Sequence, residues 1–461
     1  MIHWLHTSTG GLLTLAGVSI ALLLLMIIRF KMEPFIALIV VGLLTALAAG
    51  LPVGTIVGTA QKSSASLLET GFGGILGHIT AIIGLGTLLG SILEKSGGAR
   101  VLTGALLRAF GEKRAPLAMG VAGLIFGIPV FFDIGIFVLA PLVYVAAKQG
   151  GKSLVLYALP LLAGLSITHA FLPPHPGPVA AAGLLHVELG WIILMGGVCA
   201  IPAWFVGGVL FSSWVGKRIH IPVPEDMIVA DEDEDTDLPS LGLVAAIIAV
   251  PLVLILAGTF GSIWLPKNAT FLSGVAAFIG TPAVALTISV LLASWLLGTR
   301  RGLTGNDLSQ LSAAALRPVA MILLVVGAGA FFGAVLSATG IGKAVAGSLS
   351  DAGLPVILAA YVISCGMRIA QGSATVAIVT TSGIMAPTVT QLGYSQIQLA
   401  LLVVAISAGS IIASHVNDGG FWIISRYFNM SVPETLKTWT VLETVLSVSG
   451  FAVAASLMAV V

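Results

Sequence analysis

Apolar runs close to membrane-spanning length follow one another through almost the whole chain, and their interiors carry almost no charge. Residues 12–28, 34–50, 154–172, 191–211, 241–259 and 271–297 are of this kind. A helix needs about 20 apolar residues to cross hydrocarbon. Charged residues make up about a quarter of an ordinary soluble domain, whereas here they are 8% and hydrophobic residues are 57%. The sequence is therefore read as an all-α polytopic membrane protein, with roughly ten to fourteen spans and the lipid bilayer as its first partner. A net charge of +1 carries no footprint for nucleic acid. Cys199 and Cys365 lie far apart inside apolar runs, so they read as packing residues rather than a metal cluster or a disulfide.

Charge placement orients the chain. The first ten residues carry no Lys or Arg, and the run 12–28 ends at Arg29-Phe30-Lys31, the reverse of a secretory signal. The positive-inside rule then places the N-terminus outside, and Lys95 to Arg114, Lys217-Arg218 and Arg300-Arg301 in the cytoplasm. Residues 62–70 are too polar for lipid and read as an amphipathic segment or a buried connector. The acidic run 231–237 reads as a solvated linker, since blocks of like charge stay disordered. It divides the chain into a first transmembrane half at 1–215, a connector at 216–240 and a second half at 241–461.

Four interruptions break the apolar runs. Residues 366–375 are polar and glycine-broken, with Arg368, Gln371, Ser373 and Thr375. An irregular backbone at membrane depth must be satisfied by protein or by a wet cavity, so this stretch reads as half of a substrate site. A guanidinium suits a carboxylate and small donors suit hydroxyls, which points to an anionic polyhydroxylated solute. The plainer reading is a kinked helix with a snorkelling Arg. The second interruption sets Asp133 among Phe131, Phe132 and Phe137, with Gly127, Pro129 and Gly135 close by. A carboxyl shielded by aromatic rings is expected there. The third runs from His169 to Pro178 through His175, and its four prolines predict a rigid non-helical segment. The fourth is Ser414-His415-Val-Asn417-Asp418-Gly-Gly420.

The halves repeat. Gly86-Thr-Leu-Leu-Gly and Gly97 recur as Gly329-Ala-Phe-Phe-Gly and Gly340, and Ser-Ile-Thr-His169 recurs as Ile-Ala-Ser-His415. Internal repeats with broken helices mark secondary transporters, whose substrates bind near the midplane where the repeats meet, so the four interruptions should converge. Asp133 and Asp418 are the carboxyls inside interruptions and the candidates for proton coupling. A carboxyl taken out of water holds its proton more tightly, while the plainer role is a helix N-cap. The other acids outside the linker, Glu443 among them, read as solvated at span ends. His169 and His415 are repeat-related and can bond hydroxyls or carry a proton, although a lone buried histidine is more often a core residue. No GxxxxGK[ST] loop is present, so ATP does not drive this chain directly.

The stretches Phe131-Phe-Asp-Ile-Gly-Ile-Phe137, Thr168-His-Ala-Phe-Leu-Pro-Pro-His-Pro-Gly-Pro178, Arg368-Ile-Ala-Gln-Gly-Ser-Ala-Thr-Val-Ala377 and Ser414-His-Val-Asn-Asp-Gly-Gly-Phe-Trp422 resemble those of the gluconate permease family of bacterial proton symporters, which includes D-serine and other sugar-acid transporters. The resemblance implies two inverted repeats with re-entrant hairpins, a fold related to the ion transporter superfamily. It implies inner-membrane uptake of a small organic anion, with H⁺ as coupling ion and no other cofactor. The substrate-binding residues would be Arg368, Gln371, Ser373, Thr375, His169, His175, His415 and Asn417, with Asp133 and Asp418 coupling the proton. A homo-oligomer is left open, and a membrane-embedded enzyme and a channel are the rival classes.

Overall fold

The computed structural model describes residues 4, 8–59, 66–223, 238–264, 270–317, 319–342, 344–345, 348, 355–415 and 418–461, and every regular element among them is helical. The acidic run 231–237 lies outside this set. In the first part of the chain are α1 (Thr9–Ile28), α2 (Pro34–Ala48), α3 (Leu67–Lys95), α4 (Gly98–Phe110), α5 (Ala115–Phe126), α6 (Phe132–Gly150), α7 (Leu154–Phe171), α8 (Pro176–Leu185) and α9 (Leu189–Trp204). The second part holds α10 (Leu241–Trp264), α11 (Thr270–Gly280), α12 (Pro282–Ala293), α13 (Gly305–Leu316), α14 (Val319–Ala338), α15 (Val356–Gln371), α16 (Ala374–Thr390), α17 (Gln396–Ile411), α18 (Gly419–Tyr427) and α19 (Val441–Met458). Among the described residues nine helical stretches are long and apolar enough to cross a membrane, and shorter apolar helices accompany them.

Local chemistry sets where helices start and stop, and it shortens three of the expected irregular segments. Of the 62–70 stretch, residues 62–65 lie outside the described set, and the remainder forms the cap and first turn of α3, the Ser66 hydroxyl accepting from the Glu69 N–H at 3.2 Å. The helix before the third interruption continues to Phe171 and a new one begins at Pro176, leaving only residues 172–175 irregular. Proline at a helix's first position loses only an N–H that has no intrahelical partner anyway. The 366–375 stretch is narrower too. Residues 366–371 stay helical, and the chain leaves the helix only at Gly372, whose φ of 86° suits glycine, and at Ser373, whose hydroxyl accepts from the Val376 N–H. At α13 a capping box joins Thr304 and Asp307, and the Thr304 bonds hold the exposed Asp307 carboxyl below its ordinary range.

From α3 and from α14 onward the two parts share several features. Each long span, α3 and α14, ends at a glycine in the left-handed region, Gly97 at 78° and Gly340 at 76°. In the first part α5 and α7 run side by side in one direction, with Gly123 against Leu161 and Gly127 against Leu165 and Thr168. Helix α6 runs against α7, since Gly135 meets Leu165 while Gly150 meets Tyr157, so the chain reverses at residues 127–131. In the second part α15 packs along α17, with the Ser364 hydroxyl donating to the Ile406 carbonyl at 2.6 Å, and α15 and α16 meet at Gly372 and Ser373. Helices α7 and α17 are each followed by a break and a short helix, α8 and α18.

Glycine lets these helices touch through their backbones, which in lipid replaces the hydrophobic drive that soluble helices use. A Cβ on Gly164 would sit 2.5 Å from the Leu124 nitrogen, and one on Gly383 would sit 2.6 Å from the Gly329 carbonyl oxygen. Backbone atoms cannot move aside as side chains do. Gly383→Ala is expected to cost about 1–3 kcal/mol through this overpacking, read as a lower unfolding temperature of the detergent-purified protein. Gly197→Ala in α9, where nothing lies within 4 Å, should be neutral or stabilising. Equal behaviour of the two variants contradicts the close α14–α16 crossing.

Candidate functional site

All four interruptions reach one cavity of about 720 Å³. Residues 131–133 at the α5–α6 reversal, His169 before the α7–α8 break, Gly372, Ser373 and Thr375 at the α15–α16 junction, and Asp418 at the start of α18 line it. Glu33 before α2, Thr87 and Ser91 of α3, Ser166 of α7, Trp439 and Glu443 add to its polar wall. A larger cavity of about 940 Å³ is lined mainly by glycine, alanine and aliphatic side chains and by no Lys or Arg, so it offers an anion no counter-ion.

Arg368 is the cation of the smaller cavity. It does not snorkel: its side chain is 5% exposed, and its Nη2 lies 2.5 Å from the Asp418 carboxylate, itself 14% exposed. Nη1 donates to the Gly372 carbonyl, one of the groups that the end of α15 leaves without a helical partner. Asp418 also accepts from the Ser414 hydroxyl and, through its other oxygen, from the Gly420 N–H at 2.9 Å, which caps α18. The Ser414 hydroxyl in turn accepts from the Trp439 indole N–H at 2.7 Å. The pair thus ties the α15–α16 junction to the α17–α18 break and to the helical lead into α19.

The two histidines of the first part form a chain whose proton positions follow from valence. His175 Nε2 lies 2.6 Å from the Gly127 carbonyl, which can only accept, so Nε2 carries the hydrogen. Two Nδ1 atoms then face each other at 3.1 Å, and with neutral rings the bare one belongs to His175 and the donor to His169. His169 is left with a bare Nε2. His175, 3% exposed, does not line the cavity, which corrects its assignment as a substrate contact. It fixes the ring of His169 against the tip of the hairpin.

Other expected residues separate in the same way. His415 lies 3.2 Å from the Ile369 carbonyl and does not line the cavity. Gln371 is in the last turn of α15, but its side chain lies outside the described set, as does Asn417. Although the surrounding protein still desolvates its carboxyl, Asp133 lines the cavity and is open to it. The reason is that the aromatic rings turn elsewhere: Phe131 lies 5.8 Å from the rings of His169 and His175, Phe132 stacks on Trp439 at 5.5 Å, and Phe137 meets Tyr427 at 4.9 Å.

Glu443 was not expected here. Read as solvated at a span end, it is 1% exposed, and its Oε2 accepts from the Ser166 hydroxyl at 3.0 Å. The sequence signal was its place near the start of the apolar run 441–458, which has no basic residue after it. If the Arg368–Asp418 pair holds the breaks together, Arg368→Ala should cost about 3 kcal/mol, the low end for breaking a buried pair because Asp418 is partly exposed. Adding Asp418→Asn should then recover most of that loss in detergent unfolding. Additive losses would mean that the two side chains do not stabilise each other.

The comparisons agree with this architecture. Residues 11–461 match the model of the GntP family permease family. The inner membrane permease YgbN of Escherichia coli (strain K12) is 42% identical over 466 residues, which cover 98% of this chain and 100% of that protein. A gluconate permease of Pseudomonas aeruginosa is 40% identical over 452 residues, 98% of this chain and 97% of its own. The high-affinity gluconate transporter of Escherichia coli (strain K12) is 37% identical over 438 residues, 95% and 97% of the two chains. The Alcanivorax borkumensis YdaH transporter superposes with a TM-score of 0.63 at 17% identity, over 93% of this chain and 98% of its own. Neisseria gonorrhoeae MtrF gives 0.62 at 17% identity, over 94% and 96%. At that identity the two structures speak for the fold alone. Convergent helix breaks and a family model that matches nearly the whole chain lead to one conclusion: this is an integral membrane permease, not an enzyme, and it belongs to the GntP permease family.

Proposed function

We propose that this permease takes up gluconate, or a related small hydroxy-carboxylate such as another sugar acid or D-serine, across the bacterial inner membrane together with protons. The observation that carries the reading is Arg368, a buried guanidinium on the wall of a cavity that also presents hydroxyls, an imidazole and carboxyls among its apolar side chains. Relatives named as gluconate permeases over nearly their whole length support the substrate class.

The proposed chemistry is an exchange of partners. A substrate carboxylate matches the planar fork of Arg368 as well as Asp418 does. When it takes that place, Asp418 becomes a carboxylate without a counter-ion among protein groups, and a proton from the cavity water neutralises it. Binding of the anion and binding of a proton are then linked, and linkage is reciprocal. Asp133, open to the cavity, is a second acid on the proton's path. The hydroxyls of Ser373 and Thr375 and the Nε2 acceptor of His169 would meet substrate hydroxyls, and Gln371, His415 and Asn417 flank the pair in the chain. His175 would act through His169.

In proteoliposomes with an acidic exterior, labelled gluconate should concentrate inside, and collapse of the pH gradient should release it. Arg368→Lys keeps the charge and loses the fork, so apparent affinity should fall about tenfold, within the range of one charged hydrogen bond. Deoxy analogues should compete more weakly by about 0.5–1.5 kcal/mol per missing hydroxyl. An unsubstituted aliphatic acid that competes as well as gluconate, or uptake indifferent to the pH gradient, contradicts the proposal.

A further inference from the structure

Glu443 is an acid of this cavity that the exchange at Arg368 does not use. It projects from the first turn of α19 and lines the cavity, yet it is 1% exposed. One oxygen meets the Ser166 hydroxyl of α7, and the other, Oε1, is buried with no hydrogen-bond partner among the described residues. An ionised carboxylate needs both oxygens satisfied and a counter-charge when it leaves water. The guanidinium of Arg368, the one nearby among the described residues, is committed to Asp418 at 2.5 Å. In this arrangement the pocket around Glu443 accommodates the neutral acid. The Ser166 hydroxyl suits either form, because it can donate to the carboxylate or accept from the acid.

We propose that Glu443 is itself a proton-carrying group of the transport cycle, in addition to the exchange at Asp418. The proposal rests on the transport reading above. The proton passes from cavity water to a carboxylate oxygen of Glu443 on the side where the site is loaded. It returns to water on the side where the substrate leaves, and the O–H bonding pair stays on the carboxylate. No redox partner is required.

The titratable and charged groups on the elements packed against it are few. They are Tyr157 and His169 on α7, Cys199 on α9, Tyr361, Cys365 and Arg368 on α15, Asp418 at the start of α18, and Glu434 and Lys437 on the helical approach to α19. Arg368 and Asp418 act on it through their charges. A change of partner at Arg368 therefore alters the field at Glu443, which makes its loading sensitive to the occupancy of the same site.

The measurement is the steady accumulation ratio of labelled gluconate in proteoliposomes at a fixed imposed pH gradient. Gluconate counterflow without a gradient is measured beside it. Each coupled proton multiplies the limiting ratio about tenfold per pH unit, so Glu443→Gln should lower it about tenfold at one unit. Counterflow, which needs no net proton movement, should fall much less. Glu443→Asp, which keeps an acid, should recover most of the ratio. A Glu443→Gln ratio equal to that of the unmodified chain overturns the assignment and makes Glu443 a permanently neutral packing group. Loss of counterflow in proportion to accumulation, in protein that still purifies as a single folded species, overturns it as well. If the unmodified chain itself fails to concentrate gluconate, the transport reading fails instead, so the two failures are distinguishable.

Discussion

A guanidinium surrounded by hydrocarbon is tolerable only if an anion stands beside it and its remaining donors find acceptors. Arg368 meets the first condition through Asp418 and part of the second through the Gly372 carbonyl, its Nε being buried without a partner among the described residues, and both partners exist only because helices break there. Gly372 ends α15 with a free carbonyl, and Asp418 is placed by the N-terminus it caps. The ion pair and the breaks therefore require each other. Two unwound segments at membrane depth satisfy one another's polar groups through one side-chain pair.

The first repeat ties its own breaks together through a histidine chain rather than an ion pair. Its hairpin tip offers the Gly127 carbonyl, and His175 at the start of α8 reaches back to it. The resulting histidine chain delivers a hydrogen-bond acceptor to the cavity where the second repeat delivers a cation and an anion. A duplicated framework has thus become chemically two-sided. That suits a solute with a carboxylate at one end and hydroxyls along the rest.

Much of this framework was legible in the residues. Glycine and proline clusters marked where helices stop, and the repeat spacing tied the breaks to one place. What the sequence overstated was the length of the breaks, because helix propensity says little about where the last hydrogen bond falls. Gly366 to Gln371 remain helical despite their polarity, and Pro176 starts a helix where proline suggested none. Side-chain direction was the harder part. Neighbouring aromatics implied a sheltered Asp133, yet Phe131, Phe132 and Phe137 are each drawn to other rings, whereas Glu443 is enclosed by α7 and the cavity wall, distant segments that no local pattern reveals.

In the proposed exchange the substrate's carboxylate replaces Asp418 on Arg368 and the displaced acid takes a proton. Proton uptake on binding tests it directly: gluconate is added to purified protein in weakly buffered detergent solution near neutral pH, and the pH change is followed. The account predicts uptake of about one proton for each gluconate bound, abolished in Asp418→Asn while binding persists. Binding with no proton uptake, or uptake that survives in Asp418→Asn, would contradict it.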